Sequence, residues 1–190
     1  MNCSVNSMIN FRRLVFRLLD QYELPVWGTH GVSHWARVCE NGLRLATITG
    51  ADTRVVKLFA VLHDARRRTE GRDFTHGPMG AELAAALRAS YFEIPDDDFE
   101  LLYTACADHT NGKTHADITI QTCWDADRLD LGRVGKMPDP DRLCTDAAKA
   151  PETIAWANQR SMARVVPDLI FEEWGLGRPE ESCPSEFGCH

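Results

Sequence analysis

The sequence Val56-Lys-Leu-Phe-Ala-Val-Leu-His-Asp-Ala-Arg-Arg67 decides the fold of this chain. Its apolar residues recur at helical spacing and end on an adjacent imidazole and carboxylate, His63 and Asp64. Burial of such a pair is costly unless something binds it, and both groups are good ligands for divalent metal ions. The pair also fits an ordinary helix end, with a histidine favoured by the helix dipole and a solvated aspartate. The rest of the chain has to decide between these two interpretations.

Composition sets limits on the class of protein. The chain has 190 residues with 44% hydrophobic and 26% charged residues, as expected for one globular domain, and no apolar run approaches a membrane span. Seven scattered cysteines and the lack of a recognisable signal peptide predict reduced thiols and a cytoplasmic location. A net charge of -7 argues against a surface that coats nucleic acid, but it leaves room for a small phosphorylated substrate. The composition is compatible with a homo-oligomer and does not define one.

Helical periodicity dominates the chain, and no alternating strand pattern is convincing, so we predict an all-α fold. Gly50 is expected to end the second helix, and Asp52 or Thr53 to cap the third. The predicted helices cover about 8–22, 32–47, 52–63, 77–90, 97–108, 118–131 and, as one or two helices, 151–174. We expect one globular unit, a helical bundle in three parts: an N-terminal packing helix in 1–27, a site-bearing domain in 28–135, and a C-terminal helical extension in 136–190. The extension is expected to begin with an extended connection over 136–145 and to end in a loose tail.

Five of the seven histidines lie at or near the ends or first turns of predicted helices: His30, His34, His63, His76 and His109. The acidic sequence Asp125-Ala-Asp127-Arg-Leu-Asp130 lies near the end of the sixth predicted helix. One such histidine would more often be a core or capping residue. Converging helix ends can place ligands from several segments around one ion, so the combination favours a metal site.

This ordered set resembles the HD superfamily of metal-dependent phosphohydrolases, an all-α family defined by a His, an adjacent His-Asp pair and a distal Asp. The resemblance covers roughly residues 28–135 and implies that His34 is the first ligand and that His63 and Asp64 are the pair. The Ala-Asp-x-Leu pattern of the family falls on Asp127, which makes it the expected distal ligand, with Asp125 as the alternative.

Two further histidines are similar to those of the two-metal HD-GYP branch. His76 lies in His-Gly-Pro-Met-Gly-Ala-Glu, and His109 lies in Asp-His-Thr-Asn-Gly. The Gly-Tyr-Pro tripeptide that names the branch is absent, so its cyclic dinucleotide substrate is not carried over. The resemblance implies one ion or, with these two histidines, two. The alternative is that His76 caps a helix and His109 binds substrate.

The mixed nitrogen and oxygen donors suit a divalent transition metal, namely Mn, Fe, Co, Ni or Zn, and such an ion would lower the pKa of a bound water. We expect Asp64, Arg67 and His30 to act in catalysis, with His30 as a candidate general acid. Arginine matches phosphate oxygens, so the substrate-binding candidates are Arg66, Arg67, Arg37 and Asn41. The arginines after the pair could instead be solvated, Arg37 could pair with an acid, and Asn41 could complete a helix surface. Asp130 and Arg128 are candidates for hydrogen bonds to ligating histidines.

These residues favour hydrolysis of a phosphoester or phosphoanhydride in a small metabolite, with a nucleotide as the first candidate. Two alternatives stay open: a di-iron oxygenase on the same fold, and a non-catalytic domain that binds a nucleotide or a partner. Near the C-terminus, Cys183, Cys189 and His190 are too few for a tetrahedral zinc site by themselves.

Overall fold

The computed structural model describes residues 9–178, and the regular secondary structure in this range is helical. Apart from an isolated bridge between Arg88 and Phe92, no extended pairing occurs between residues 9 and 178, which confirms the all-α prediction. The α-helices are α1 (Phe11–Leu19), α2 (Val32–Thr49), α3 (Thr53–Leu62), α4 (His76–Leu87), α5 (Asp96–Asp108), α6 (Ile118–Arg128), α7 (Asp146–Lys149), α8 (Pro151–Met162) and α9 (Leu169–Glu172).

Helix α3 is the centre of the bundle. It packs against α2, α4, α5 and α6, and all of its residues from Val55 to Leu62 except Lys57 are buried. The Asp52 side chain caps its start by accepting hydrogen bonds from the backbone N–H groups of Arg54 and Val55, and α2 ends at Gly50 with a φ of 76°. Both local predictions are confirmed. Because α3 is enclosed by other helices, its C-terminal end delivers His63 and Asp64 into the interior.

Helix α4 lies unusually close to the ends of two other helices. A Cβ atom on Gly80 would lie 2.8 Å from the carbonyl oxygen of Leu62, and one on Gly77 would lie 2.9 Å from that of Cys106. The two glycines therefore allow α4 to contact the backbone at the ends of α3 and α5. This packing brings His76, the first residue of α4, beside the end of α3.

We expect Gly80→Ala to destabilise the protein by about 1–3 kcal/mol, because the new methyl group overlaps backbone atoms that cannot rotate away. In an unpacked helix the same change would stabilise by about 1 kcal/mol, so the sign of the effect is informative. Urea unfolding of the purified protein measures it. Gly177→Ala is the control, because nothing lies within 4 Å of a Cβ there. Unchanged or increased stability of Gly80→Ala would contradict the close packing.

The C-terminal region is docked on the bundle. A second small core consists of buried apolar residues from α2, α6, α7, α8 and the loop before α7: Leu45, Leu129, Leu143, Ala148 and Ala157. Ile170 and Trp174, in and just after α9, join the main core. Helix α8 also packs on a 3-10 turn at Leu131–Val134.

The predictions for this region need correction. The stretch over 136–145 is not fully extended, because it contains a 3-10 turn at Pro140–Arg142 that Asp139 caps. The short helix α7, which Thr145 caps, follows it directly. Most of the predicted loose tail, with Cys183, Cys189 and His190, lies outside the described residues. None of the described helices has the length and apolarity that crossing a bilayer requires.

Candidate metal centre

The first group of ligand atoms comes from three helix ends. His34 lies in the first turn of α2, His63 is the C-cap of α3, and Asp127 lies in the last turn of α6. The Nε2 atoms of His34 and His63 are 3.1 Å apart. Asp127 Oδ1 is 3.5 Å from His34 Nε2 and 3.9 Å from His63 Nε2. The three residues predicted from widely separated motifs therefore meet at one point.

The second group contains Asp64, His76 and His109, all of which are buried. The Nε2 atoms of His76 and His109 are 3.0 Å apart. Asp64 Oδ1 is 3.1 Å from His76 Nε2 and 3.8 Å from His109 Nε2. This group joins the end of α3 to the start of α4 and the C-cap of α5.

The Asp64 carboxylate belongs to both groups. Its Oδ1 atom faces the second group, while Oδ2 lies 3.5 Å from His34 Nε2 and 3.8 Å from His63 Nε2. One side chain therefore joins two neighbouring sets of donors. This arrangement suits two ions that share a carboxylate, or one ion in either set.

Hydrogen bonds made by the Nδ1 atoms of the imidazole rings determine that the Nε2 atoms face the ligand groups. His63 Nδ1 lies 3.1 Å from the carbonyl oxygens of Phe59 and Ala60, and His109 Nδ1 lies 2.8 Å from that of Cys106. His76 Nδ1 lies 2.8 Å from the carbonyl oxygen of Asp73. Since a carbonyl only accepts, each Nδ1 carries the proton and each Nε2 presents a lone pair to its ligand group.

The first group contains converging acceptor atoms that lack hydrogen-bond donors within the part of the chain that the structure describes. Four acceptor atoms converge there, from His34, His63, Asp64 and Asp127, and Asp127 Oδ1 is buried without a hydrogen-bond partner among the described residues. A single proton could satisfy one of these contacts, whereas a cation satisfies all four. In the second group Arg67 Nη1 lies 3.0 Å from His76 Nε2 and supplies one donor. The residues present therefore fit a divalent metal ion, most strongly in the first group.

The protonation states of the first group suit metal binding. Burial lowers the pKa of His63 to about 3, so its imidazole is neutral at pH 7. Burial raises the pKa of Asp127, but His63 and Arg133 outweigh it and bring that pKa to about 2. In the second group burial lowers the pKa of His109, but the neighbouring Asp64 carboxylate outweighs burial and the pKa is raised. A proton therefore competes with a cation at His109 more than at His63.

We expect metal-free protein to become more stable when Mn²⁺ is added, because the cation removes the repulsion between the converging acceptors. An ion at about 100 times its dissociation constant stabilises the folded state by about 2.7 kcal/mol. Thermal unfolding with and without Mn²⁺ measures the gain. Asp127→Asn should lose most of it, while Asp125→Asn should keep it from a lower starting stability. Equal gains in the two variants would contradict the assignment of ligands.

Asp130 orients His34 from behind. Its Oδ2 atom lies 2.8 Å from His34 Nδ1, and its two oxygens accept from Arg37 Nε at 2.7 Å and Arg37 Nη2 at 3.0 Å. Burial raises the pKa of Asp130, but His34 and Arg37 outweigh it and hold the pKa well below its usual range. The expected hydrogen bond from Asp130 to a ligating histidine is present. Arg128 does not share this role, since it donates to the carbonyl oxygens of Lys113 and Arg142.

Asp125 lies in neither ligand group, so that alternative ligand is wrong. Its Oδ1 atom accepts from the backbone N–H of Cys144 at 2.7 Å, and Oδ2 accepts from the backbone and hydroxyl of Thr145 at 2.8 Å each. Asp125 and Asp127 are two residues apart on α6, which places them about 200° apart around the helix. Asp125 therefore holds the loop before α7, and Asp127 faces the ligand group.

Three predicted substrate-binding residues lie outside the cavity lining. Arg37 is buried in its pair with Asp130 and also donates to the carbonyl oxygen of Val165. The Asn41 amide donates to the carbonyl oxygen of Ala126 and joins α2 to α6, and Arg66 donates to Gln21. Helical spacing correctly placed Arg37 near His34, but it did not show that the Arg37 guanidinium would pair with Asp130.

Four of the ligand residues, Asp64, His76, His109 and Asp127, line a cavity of about 1240 Å³, while His34 and His63 lie behind them. His30 lines this cavity, and its Nδ1 atom lies 2.5 Å from Glu70 Oε2. Burial lowers the pKa of His30 despite its neighbouring carboxylates. Arg67 also lines the cavity, with Nη1 3.5 Å from Asp64 Oδ1 and its other nitrogens bound to the carbonyl oxygens of Thr69 and Gly71.

The cavity lining contains six basic side chains against four carboxylates, in a chain whose net charge is -7. The basic side chains are Arg67, Arg72, Arg128, Arg133, Lys136 and Arg142. Sequence reasoning missed Glu70 and most of these cations, because they lie in irregular segments without helical periodicity. For Arg133 the sequence does offer one signal: it follows Asp130 by three residues, a spacing that places the two side chains near each other in a helical turn.

Comparisons with known proteins support the fold. No family model matches the chain, and no curated protein matches it. Among solved structures, it is similar to the crystal structure of a predicted HD superfamily hydrolase from an uncultured Thermotogales bacterium, with 24% identity and a TM-score of 0.61. The match covers 92% of this chain and 100% of the other. The predicted resemblance to the HD superfamily is confirmed for the fold, and the likeness to the HD-GYP branch stays a prediction.

Proposed function

We propose that this chain is a metal-dependent phosphohydrolase that acts on a phosphoester or phosphoanhydride of a small metabolite, with a nucleotide as the first candidate. One observation carries the proposal: the two oxygens of Asp64 face two neighbouring groups of ligand atoms, beside a cavity whose lining includes six basic side chains. The geometry offers acceptors for metal and donors for phosphate in the same place. A cavity of about 1240 Å³ also has room for a ligand of nucleotide size.

Different residues of the site would hold the metal ions and orient their ligands. His34, His63 and Asp127 would hold one ion and His76 and His109 a second, with Asp64 contacting both, and the donor types suit Mn, Fe, Co, Ni or Zn. When bound, such ions lower the pKa of water and neutralise phosphoryl oxygens. Asp130 fixes the ring of His34 through its Nδ1 atom.

His30 is our candidate for the proton donor to the leaving group. Glu70 holds its Nδ1 atom and so fixes the ring at the cavity wall. The lowered pKa of His30 means that it is neutral in the free protein at pH 7. A dianionic substrate beside it would raise that pKa, and the protonated ring could then donate from Nε2.

The experiment is a screen of phosphorylated metabolites for phosphate release by protein that is first stripped of metal and then loaded with each ion in turn. Release should require an added ion and should stop when a chelator is present. Asp64→Asn, prepared in the same way, excludes a contaminating phosphatase. If no ion supports release from any member of the screen, the proposed function is wrong.

The oxygenase alternative keeps one supporting observation, since four imidazoles and a shared carboxylate are also a suitable donor set for two iron ions. Oxygen consumption by iron-loaded protein in the presence of the same metabolites separates the two chemistries. Release of phosphate without oxygen consumption would favour hydrolysis.

We also propose a cytoplasmic location. The cysteines among residues 9–178 are free thiols, and three of them, Cys39, Cys106 and Cys123, are buried. Burial raises the pKa of each of these three thiols and so keeps them protonated and unreactive.

A further inference from the structure

Arg133 is a cation at the first ligand group that the sequence did not single out. Its side chain is only 7% exposed, yet it lines the cavity. Its Nη2 atom lies 3.8 Å from Asp127 Oδ1, and its Nη1 atom donates to the carbonyl oxygen of Asp130 at 2.9 Å. The 3-10 turn after α6 therefore places a buried guanidinium beside a proposed metal ligand.

The hydrogen-bonding capacity of Arg133 is largely unused. Within the described part of the chain, Nε is buried without a partner and Nη2 makes no hydrogen bond. A guanidinium has five N–H donors, and leaving a buried charge short of partners is unfavourable. The neighbouring carboxylates of Asp127 and Asp130 compensate part of the charge but accept none of these protons within hydrogen-bond distance.

The other two arginines near the ligand groups are different. Arg67 donates from Nε and Nη2 to the carbonyl oxygens of Thr69 and Gly71, so its guanidinium braces the loop between α3 and α4. Its Nη1 atom faces His76 Nε2, the atom that would hold an ion. All three nitrogens of Arg37 donate hydrogen bonds, two of them to Asp130 and one to the carbonyl oxygen of Val165. Of these three guanidinium groups, Arg133 has the most unused donors, since neither its Nε nor its Nη2 atom has a hydrogen-bond partner among the described residues.

We propose that Arg133 binds an oxygen of the phosphoryl group of the substrate, and that Arg67 serves mainly to hold its loop. The inference rests on the proposed function, because it takes the anion to be a phosphoryl group next to Asp127. A planar guanidinium with free N–H groups suits a tetrahedral oxyanion. The anion would complete the hydrogen bonding that the protein leaves open.

The test uses inorganic phosphate as the probe and Mn²⁺-loaded full-length protein. Isothermal titration calorimetry should show that Arg133→Gln binds phosphate about 10-fold to 100-fold more weakly than wild type, as expected for loss of a charged hydrogen bond. Its Mn²⁺ content should stay that of wild type. Arg164→Gln is the matched control, because Arg164 is exposed and lies outside the cavity lining. That variant loses the same charge and should bind phosphate as wild type does.

A purely structural role would lower the melting temperature of Arg133→Gln and leave its phosphate affinity unchanged, which would overturn the inference. Arg133→Met retains most of the side-chain packing and gives the same comparison if the glutamine variant does not fold. If wild type binds phosphate and both folded variants bind it equally well, only the role of Arg133 is wrong. If Mn²⁺-loaded wild type binds no phosphate, the inference about Arg133 is also wrong, whereas the proposed function is decided separately by the phosphate-release screen.

Discussion

Asp64→Asn should abolish turnover and reduce the metal content of both ligand groups. Asn keeps the shape of the side chain but removes its charge and replaces one of the two oxygens, each of which faces a different group. We expect phosphate release to fall by about 10²-fold to 10³-fold or more, the scale found when a single charge-stabilising group is lost from an active site. Elemental analysis and phosphate release on the same preparation measure both effects.

Asp125→Asn is the control for this prediction, since it makes the same chemical change to a buried carboxylate two residues from a ligand. It replaces one of the two oxygens that accept hydrogen bonds from Cys144 and Thr145 and should therefore lower stability. Its metal content should be that of wild type. If Asp64→Asn retained its full complement of metal and its turnover, the shared carboxylate would have no function in this site.

Arg37→Met should destabilise the fold by about 3–5 kcal/mol, because it leaves the buried charge of Asp130 without its partner. The Asp130 side chain is only 1% exposed, so solvent cannot replace the two hydrogen bonds that Arg37 donates to it. Urea unfolding of metal-free protein gives the free energy directly. The affinity for Mn²⁺ should also fall, since His34 loses a firmly held hydrogen-bond partner.

Arg54→Met is the matched change at the surface. Arg54 pairs with Asp52 and Asp98, but its side chain is 45% exposed, and an exposed pair contributes less than about 1 kcal/mol. If the free energy of unfolding fell by a similar amount in the two variants, burial would not make the Arg37–Asp130 pair more stabilising than an exposed pair. A small loss for Arg37→Met would mean that Asp130 finds another partner.

Local signals in the sequence carried the prediction of the fold. The apolar spacing of α3, the cap at Asp52 and the stop at Gly50 depend on neighbouring residues alone, and each is present in the structure. The metal ligands were predicted from the order of motifs, which identifies residue types but not the direction of a side chain. For that reason the preference for Asp127 over Asp125 came only from the family resemblance, and the register of α6 was needed to show which side chain faces the ligand group.

Residues positioned by irregular segments could not be predicted in this way. Glu70 meets His30 across forty positions of chain, and Arg133 reaches Asp127 from a 3-10 turn. Neither contact follows from periodicity. Arg66 and Asn41 show the reverse error, because sequence proximity to the ligands suggested a role at the cavity, while their side chains make contacts elsewhere.

The carbonyl oxygen of Val165 accepts a hydrogen bond from Arg37, and Ser161 donates to the carbonyl oxygen of Asp130. The segment between α8 and α9 is thus joined to His34 through Arg37 and Asp130. Loops of this kind commonly tolerate insertions and deletions, but here a change in length would withdraw the carbonyl group and let the imidazole turn. Exchanging the segment between α8 and α9 with that of another protein of the same fold would therefore alter a ligand more than a hundred residues earlier in the sequence.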